Sequence, residues 1–361
     1  MSRTYGFGII GGGVIAPFHA RAIADLPNAR LVAVADMLPE RARAQAAKFG
    51  VEHLGPDQLL TRPDVDVVCV CVPSGAHAEV GIRAATAGKH VVVEKPIEIT
   101  LAAADRLIGA CEEQGVTLAV ISQHRWDPGM RALKELVDGG RLGRLVLGDA
   151  VVKWYRTQEY YDSGDWRGTW DVDGGGALMN QGVHYVDLLQ WVMGPVERVF
   201  ARCRTSAHER IEVEDIAVAV LSFAGGAVGV LESTTAAYPG ISDRLEVSGT
   251  GGTVIVEAGE LKVRELKDEK GETAPYGGKL PTLDGGGQPQ RTAATNPEDI
   301  SYVGHREQLR DVLEAIETGL RPAIDGAEAR KALEIILAVY ESARSGRDVA
   351  LPLAVGPSVR P

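Results

Sequence analysis

The sequence lacks the features that indicate several large classes of protein. It contains four cysteines and no Cys-x-x-Cys pair, and Cys69 and Cys71 alternate along one apolar segment as buried, reduced packing residues do. Apolar runs such as those within Val65–Val72 and Val116–Ile121 are far shorter than the ~18 residues of a membrane span. The N-terminus has no signal-peptide layout, so we expect a cytoplasmic protein.

Positive charge is also in short supply. The 361 residues include 38 Lys and Arg against 49 Asp and Glu, a net charge of −11. An acidic surface disfavours nucleic acid and anionic membranes, so we expect neither as a partner. Apolar residues at 45% and charged residues at 24% are typical of a globular protein, and this length favours two domains.

Apolar segments that resemble strands alternate with helical segments over the first third of the chain. The strand-like segments are apolar on both faces, which predicts a doubly wound parallel sheet. After about Ser122 the pattern changes to recurring strands separated by short glycine turns, which predicts a large, open, mostly antiparallel sheet. We therefore expect an α/β protein with a Rossmann domain at 1–122 and an α+β domain at 123–361, with terminal helices that pack back on the first domain. Residues 268–297 read as a long loop.

A glycine signature follows the first strand. It has the pattern G-x-G-x-x-G/A and runs Gly11, Gly12, Gly13, Val14, Ile15, Ala16. Gly11 permits the tight turn, Gly13 lets the backbone approach a pyrophosphate, and the following helix offers amide donors at its N-terminus. Asp36 ends the second strand, where it can accept hydrogen bonds from a ribose diol. This favours NAD, although Arg41 leaves NADP open as an alternative.

A second informative segment is Glu94-Lys95-Pro96. A short strand ends here and delivers Glu94 and Lys95 to the carboxyl edge of the sheet, where ligands bind in such folds. A cis peptide at Pro96 would turn the lysine inward. A lysine beside a positively charged nicotinamide has a lowered pKa and can accept a hydroxyl proton near neutral pH. The alternative is an ordinary surface lysine.

A third segment runs from Gly174 to Asp187 and contains Asn180 and His184. If it is helical from Asn180, then Asn180, His184 and Asp187 lie at i, i+4 and i+7 and share one face. A histidine there can shuttle a proton or orient a substrate hydroxyl, but it can equally be a buried packing residue. We find no third ligand with metal-like spacing, so we expect no metal.

Together these segments resemble the Gfo/Idh/MocA oxidoreductase family, in order and spacing, over nearly the whole chain. The resemblance implies that Lys95 and His184 flank the substrate carbinol beside the nicotinamide, and that the second domain's sheet forms a homodimer or homotetramer. Many members carry an aspartate where this chain has Asn180, which can hydrogen-bond a hydroxyl but cannot act as a base. The cofactor-binding residues it implies are Gly11, Gly13, Val14, Ile15, Asp36, Pro73, His77, Glu94, Lys95 and Gln123.

Several stretches are similar to the sugar and nucleotide-sugar 3-dehydrogenase branch of that family, among them 122–126 and 166–170. Six of the chain's 14 Trp and Tyr residues fall within the 17 positions from Trp154 to Trp170. Aromatic faces cover the apolar C–H surfaces of sugars, whereas a packed domain edge would have the same composition. Arg156 and Arg167 can bind a carboxylate or phosphate, or pair with nearby acidic residues. The expected substrate-binding residues are Lys95, Arg156, Trp166, Arg167, Asn180 and His184.

We therefore predict an NAD(P)-dependent dehydrogenase that oxidises a secondary ring hydroxyl, with C3 preferred, of a sugar, glycoside or nucleotide sugar. Lys95 takes the hydroxyl proton, and His184 and Asn180 orient the neighbouring hydroxyls. The alternatives are a redox-neutral, NAD-retaining lyase or glycosidase, an inositol dehydrogenase, and a non-catalytic sugar-sensing regulator. His305 and Arg306, after the long loop, are further candidates for the cleft.

Overall fold

The computed structural model describes residues 3–270 and 301–353. The predicted loop at 268–297 falls largely outside these ranges, and its first residues belong to a short helix. None of the helices in the described ranges combines the length and the apolar character needed to cross a bilayer.

The strands and helices follow in chain order. The strands are β1 (Tyr5–Ile10), β2 (Ala29–Ala35), β3 (Glu52–Leu54), β4 (Val67–Val70), β5 (His90–Val93), β6 (Leu118–Val120), β7 (Leu145–Lys153), β8 (Val196–Arg204), β9 (Ile216–Phe223), β10 (Val228–Thr234), β11 (Arg244–Gly249), β12 (Gly252–Glu257), β13 (Glu260–Leu266) and β14 (Val349–Ala350). The helices are α1 (Ala16–Ala24), α2 (Pro39–Phe49), α3 (Pro56–Leu60), α4 (His77–Thr86), α5 (Leu101–Gln114), α6 (Pro128–Asp138), α7 (Gln158–Asp162), α8 (Val183–Met193), α9 (Lys267–Lys270), α10 (Val303–Thr318) and α11 (Gly326–Ser345).

The chain divides into two units. Unit 1 comprises residues 1–123, 171–174 and 301–333, and unit 2 comprises residues 124–170, 175–300 and 334–361. The boundary therefore falls within helix α11, and α10 packs against α1 inside unit 1.

Unit 1 is built on a six-stranded parallel sheet with the order β3-β2-β1-β4-β5-β6. This is the strand order of the dinucleotide-binding Rossmann fold, and it confirms the predicted doubly wound sheet. Strands β1, β4 and β6 are buried along their whole length, and β5 is buried after its first residue, as expected for a sheet covered by helices on both faces. The order reverses between β1 and β4, so the ends of these strands form the crevice where such folds bind ligands.

Unit 2 is built on an eight-stranded sheet with the order β13-β12-β11-β7-β10-β9-β8-β14. Every neighbouring pair is antiparallel except β7 and β10, which run parallel. Burial alternates along β9 and β10, so one face is packed and the other is open. The predicted, mostly antiparallel second sheet is confirmed, and helix α8 packs against β7 on its covered side.

Candidate active site

The glycine turn after β1 has the shape that a dinucleotide requires. Gly11 has φ of +110°, and a Cβ there would lie 2.3 Å from the carbonyl oxygen of Cys71. Only glycine therefore fits between β1 and the end of β4. A Cβ on Gly13, by contrast, would meet no heavy atom within 4 Å, so this stretch of backbone is open to a ligand.

Asp36 is tied to this turn. Its Oδ2 accepts the backbone N–H of Gly12 at 2.7 Å, and its Oδ1 accepts that of Leu38 at 2.8 Å. The carboxylate is thus held at the end of β2 beside the glycine loop, the place from which an acidic residue bonds an adenosine ribose. The buried Oε1 of Gln123, just beyond β6, has no hydrogen-bond partner among the described residues and is free to accept one from a ligand. Unit 1 therefore fits the predicted cofactor.

The carboxylate of Glu94 lies at the centre of a buried cluster at the end of β5. Its Oε1 lies 2.8 Å from Nε2 of His19 on α1 and 3.5 Å from Nε2 of His305 on α10. Burial opposes the negative charge, but the hydrogen bond with His19 and the nearby imidazole of His305 hold the pKa of Glu94 well below its usual range. The cluster joins two helices to the strand that delivers Lys95.

Within the described ranges, His19, Glu94 and His305 form the one group of three side chains spaced to hold a metal ion. However, the His19–Glu94 distance is that of a direct hydrogen bond, whereas ligands of a tetrahedral zinc ion are separated by roughly 3.3 Å. We therefore interpret the trio as a hydrogen-bonded network. His305 and Arg306 were candidates for the cleft. His305 is instead fully buried beside Glu94, and Arg306 pairs with Glu307.

Lys95 follows directly and is half-buried. Its backbone N–H donates to Oε2 of Glu94 at 3.2 Å, and its peptide bond to Pro96 is cis, the arrangement that the sequence analysis considered. The ring of His77, at the start of α4, lies 2.7 Å from the carbonyl oxygen of Pro96 and 3.0 Å from that of Val72. The predicted cofactor residue His77 therefore links the ends of β4 and β5.

In unit 2, the segment that carries Asn180 and His184 begins with a single π-helical turn, Leu178–Gly182, and becomes α-helical only at Val183. The prediction of one α-helical face shared by Asn180, His184 and Asp187 is therefore wrong, because the wider turn changes their relative angles. Asp187 is buried and accepts two hydrogen bonds from Arg125, one of them at 2.7 Å. This pair holds α8 to the segment around Arg125.

His184 itself is buried, and its ring packs edge-to-face against that of His124, with centroids 4.9 Å apart. The Nδ1 of His124 lies 2.7 Å from Oδ2 of Asp127. His124 lies within the stretch 122–126 but was not among the candidate site residues predicted from the sequence. Its spacing of three from an aspartate at the start of a helix was the available signal.

The aromatic segment 154–170 brings the two candidate arginines around one tyrosine. The guanidinium of Arg167 lies over the rings of Tyr160 and Trp166, at 4.4 and 4.5 Å, and donates to the Tyr160 hydroxyl at 2.8 Å. The guanidinium of Arg156 also lies near the ring of Tyr160, 5.5 Å from its centroid. Burial lowers the pKa of Arg156.

Pairing of these arginines with nearby acids was the competing expectation. Asp162 pairs instead with Arg210 at 2.7 Å, and among the described residues no carboxylate lies within ion-pair distance of Arg167. Sequence reasoning did not single out Tyr160 within the aromatic cluster, because only the fold shows that both cations share it.

Family models match both halves of the chain. Residues 5–122 match the model described as the oxidoreductase family with an NAD-binding Rossmann fold, and residues 130–255 match the GFO/IDH/MocA C-terminal domain. Myo-inositol 2-dehydrogenase of Thermotoga maritima is 30% identical over 97% of this chain and 99% of its own. Levoglucosan dehydrogenase of Pseudarthrobacter phenanthrenivorans is 28% identical over 73% of this chain and 76% of its own.

Solved structures resemble the whole chain. The WlbA dehydrogenase from Bordetella pertussis, in complex with NADH and UDP-GlcNAcA, has a TM-score of 0.85 and 34% identity, and covers 98% of this chain and 99% of its own. NADH in that complex and the matched NAD-binding model agree with the shape of the glycine turn and with the carboxylate of Asp36, and they identify NAD as the cofactor.

Replacement of Asp36 tests this cofactor site. We expect Asp36→Ala to weaken NAD binding by about 10- to 100-fold, since a hydrogen bond to a charged group contributes about 1.5–3 kcal/mol. The preference for NAD over NADP should also fall, because the negative charge that repels a ribose phosphate is gone. Titration calorimetry with both dinucleotides measures this, with the exposed Asp57→Ala on α3 as the control. Unchanged affinity and preference would remove Asp36 from the site.

Proposed function

We propose that this chain, which belongs to the Gfo/Idh/MocA oxidoreductase family, oxidises a secondary ring hydroxyl of a sugar derivative that carries an anionic group. The chain is an NAD-dependent oxidoreductase acting on CH–OH groups. C3 is the preferred carbon, on the resemblance to sugar 3-dehydrogenases. The observation that carries the anionic substrate is the Arg167–Tyr160 contact, in which a guanidinium is held by aromatic rings without an ion pair to a described carboxylate.

Lys95 is the proposed base. When bound, NAD supplies the hydride acceptor, and the remaining requirement is a group that takes the hydroxyl proton. Lys95 stands at the carboxyl end of β5, half-buried, with its backbone N–H held by the Glu94 carboxylate. This support fixes the backbone from which the amine reaches the substrate.

His184 and Asn180 are the proposed substrate-orienting residues. His184 is packed against His124, which restrains its ring, and Asn180 lies on the π-helical turn one helical turn earlier. An amide can donate to one hydroxyl and accept from another, and a histidine can also pass a proton onward. The absence of an aspartate at position 180 leaves Lys95 as the base.

Arg167, Arg156 and Trp166 are the proposed anion and sugar subsite. Stacking over Tyr160 and Trp166 restrains Arg167 in a fixed orientation, which lowers the entropy cost of a bidentate contact to a carboxylate or phosphate. UDP-GlcNAcA, the ligand of the WlbA complex, carries both kinds of anion. A uronate or a nucleotide sugar is therefore the substrate class that this cluster favours.

Three other functions are alternatives to this proposal, and each predicts a different experimental result. An inositol dehydrogenase is compatible with the Thermotoga relative, and it would oxidise a neutral polyol. A redox-neutral lyase or glycosidase would retain NAD through purification and form no net NADH. A sugar-sensing regulator would bind NAD without turnover, which the presence of both Lys95 and His184 disfavours.

A homodimer or homotetramer through the open face of the eight-stranded sheet is part of the proposal. Phe200, Val218, Val220 and Val228 lie on that face and are each 40–50% exposed. Phe200 on β8 lies opposite Val220 on β9, which in turn lies opposite Val230 on β10, so the apolar side chains adjoin across three strands. A contiguous apolar patch of this kind marks a contact with another protein surface.

Replacement of Lys95 tests the base. We expect Lys95→Met to lower turnover by about 10²- to 10⁴-fold, the usual contribution of a positioned base, and to leave NAD affinity nearly intact. NADH formation is measured with free sugars, glycosides, inositols and uronate-bearing nucleotide sugars, and Lys48→Met on α2 serves as the control. Turnover that survives in Lys95→Met would overturn the assignment. If the wild type forms no NADH with any of these substrates but carries tightly bound NAD, the redox-neutral enzyme is favoured.

Replacement of Arg167 tests the substrate class. We expect Arg167→Gln to raise KM for an anionic sugar by about 10- to 100-fold, because a charge-assisted hydrogen bond is lost. KM for a neutral sugar or inositol should hardly change. Arg210→Gln, which removes the neighbouring exposed guanidinium, is the matched control. Equal effects on charged and neutral substrates would contradict an anion subsite.

An aspartate on the open sheet face tests the assembly. We expect Val220→Asp to reduce the particle mass measured by light scattering, since a buried charge would face a second apolar sheet. Leu320→Asp, at an exposed leucine of unit 1, should leave the mass unchanged. If Val220→Asp keeps the wild-type mass, the contact between copies lies elsewhere.

A further inference from the structure

A buried carboxylate supports the start of the segment that carries Asn180 and His184. Glu214, which precedes β9, accepts the backbone N–H of Gly176 on Oε2 and that of Leu178 on Oε1, both at 2.9 Å. Its own carbonyl oxygen accepts the N–H of Ala177, between them, at 3.0 Å. One residue therefore binds three consecutive N–H groups at the head of the π-helical turn.

The same carboxylate is tied to a second helix. The hydroxyl of Tyr340 on α11 donates to Oε1 of Glu214 at 3.0 Å. A Cβ on Gly175 would lie 2.2 Å from that hydroxyl, and one on Gly176 would lie 1.7 Å from the carbonyl oxygen of Glu214. These contacts explain the glycines before the histidine segment, which admit the backbone close to Glu214 and Tyr340.

We propose that Glu214 is a positioning residue that sets the placement of Asn180 and His184 by anchoring the backbone at residues 176–178. The reason is geometric, because the first N–H groups of a helix have no partner within the helix itself. A negative group at the N-terminus of a helix also interacts favourably with the positive end of the helix dipole. The consequence for activity rests on the proposed function, whereas the anchoring itself does not.

The anchor is sensitive to protonation. Burial raises the pKa of Glu214 to about 7, against the hydrogen bonds from Leu178, Gly176 and Tyr340, which lower it. The titratable groups that face it are Tyr340 on α11, Cys203 on β8 and Tyr161 on α7, and Asp215 follows it in the chain. Near neutral pH none of these groups carries a positive charge, so apart from the hydrogen bond from Tyr340 they do not favour ionisation. A protonated carboxyl turns one acceptor into a donor, and the anchor loosens as pH falls through 7.

Amide hydrogen exchange tests the anchor without reference to activity. We expect Glu214→Gln to speed exchange of the peptide covering residues 176–184 by about tenfold or more at pH 8, because the amide NH₂ of glutamine cannot accept a hydrogen bond. Glu197→Gln, on an exposed position of β8, should leave that peptide at the wild-type rate. Unchanged exchange in Glu214→Gln would overturn the proposal, whatever the enzyme's substrate.

Kinetics test the link to the site. Both variants are assayed with a substrate that the wild type oxidises. We expect Glu214→Gln to lower kcat/KM by about 10- to 100-fold. We expect Tyr340→Phe to move the acidic limb of the kcat/KM–pH profile to higher pH, because loss of its hydrogen bond raises the pKa of Glu214 further. Protonation of Lys95 can also cause activity to fall at low pH. The diagnostic result is therefore the shift of this limb in Tyr340→Phe relative to the wild type.

Tyr340→Phe keeps the test open if Glu214→Gln fails to fold. A Glu214 that merely stabilised the fold would lower the melting temperature without moving the pH profile in Tyr340→Phe, and that outcome contradicts the proposal. A wild type that turns over no substrate would instead refute the proposed function, and hydrogen exchange alone would then decide the role of Glu214.

Discussion

The Glu94 carboxylate is buried and yet negatively charged, and the arrangement of unit 1 depends on how it is kept so. An isolated carboxylate would become protonated in such surroundings. His19 and His305 lie within 3.5 Å of Oε1, and the Lys95 N–H donates to Oε2, so three elements are bound to one charge. Removal of one of these partners would leave a buried charge without full compensation, which is strongly destabilising. That penalty fixes α1, α10 and the end of β5 together, and with them the backbone of Lys95.

Unit 2 contains the contrasting case. Glu214 is equally buried, but its partners are backbone N–H groups and a tyrosine hydroxyl rather than imidazoles. Neutral donors stabilise a carboxylate less than charged ones, so burial dominates and the pKa rises to about 7 instead of falling. Two acidic side chains with similar burial thus differ in protonation because of their neighbours: Glu94 gives a permanent charge, and Glu214 gives a contact that pH can weaken.

Local signals were sufficient for much of the fold. The bounds of α5 were predictable because Thr100 caps its start by accepting the Ala103 N–H and Gly115 ends it in the left-handed region. Short elements such as β3 were missed, since three residues, of which two are exposed, carry no periodicity. The π-helical turn and the roles of Glu214 and His305 could not be predicted either, because their partners lie far away in the sequence.

The net charge of the chain limits how an anionic substrate can be recognised. A protein with a net charge of −11 repels anions at long range, so electrostatic steering does not favour an acidic sugar. Recognition must come from short-range contacts that outweigh this field. Arg167 suits that role because the rings of Tyr160 and Trp166 hold its guanidinium without neutralising it, whereas a carboxylate partner would have consumed its charge. Since a sugar also offers apolar C–H faces, the same aromatic side chains can restrain the cation and cover the ring of its ligand.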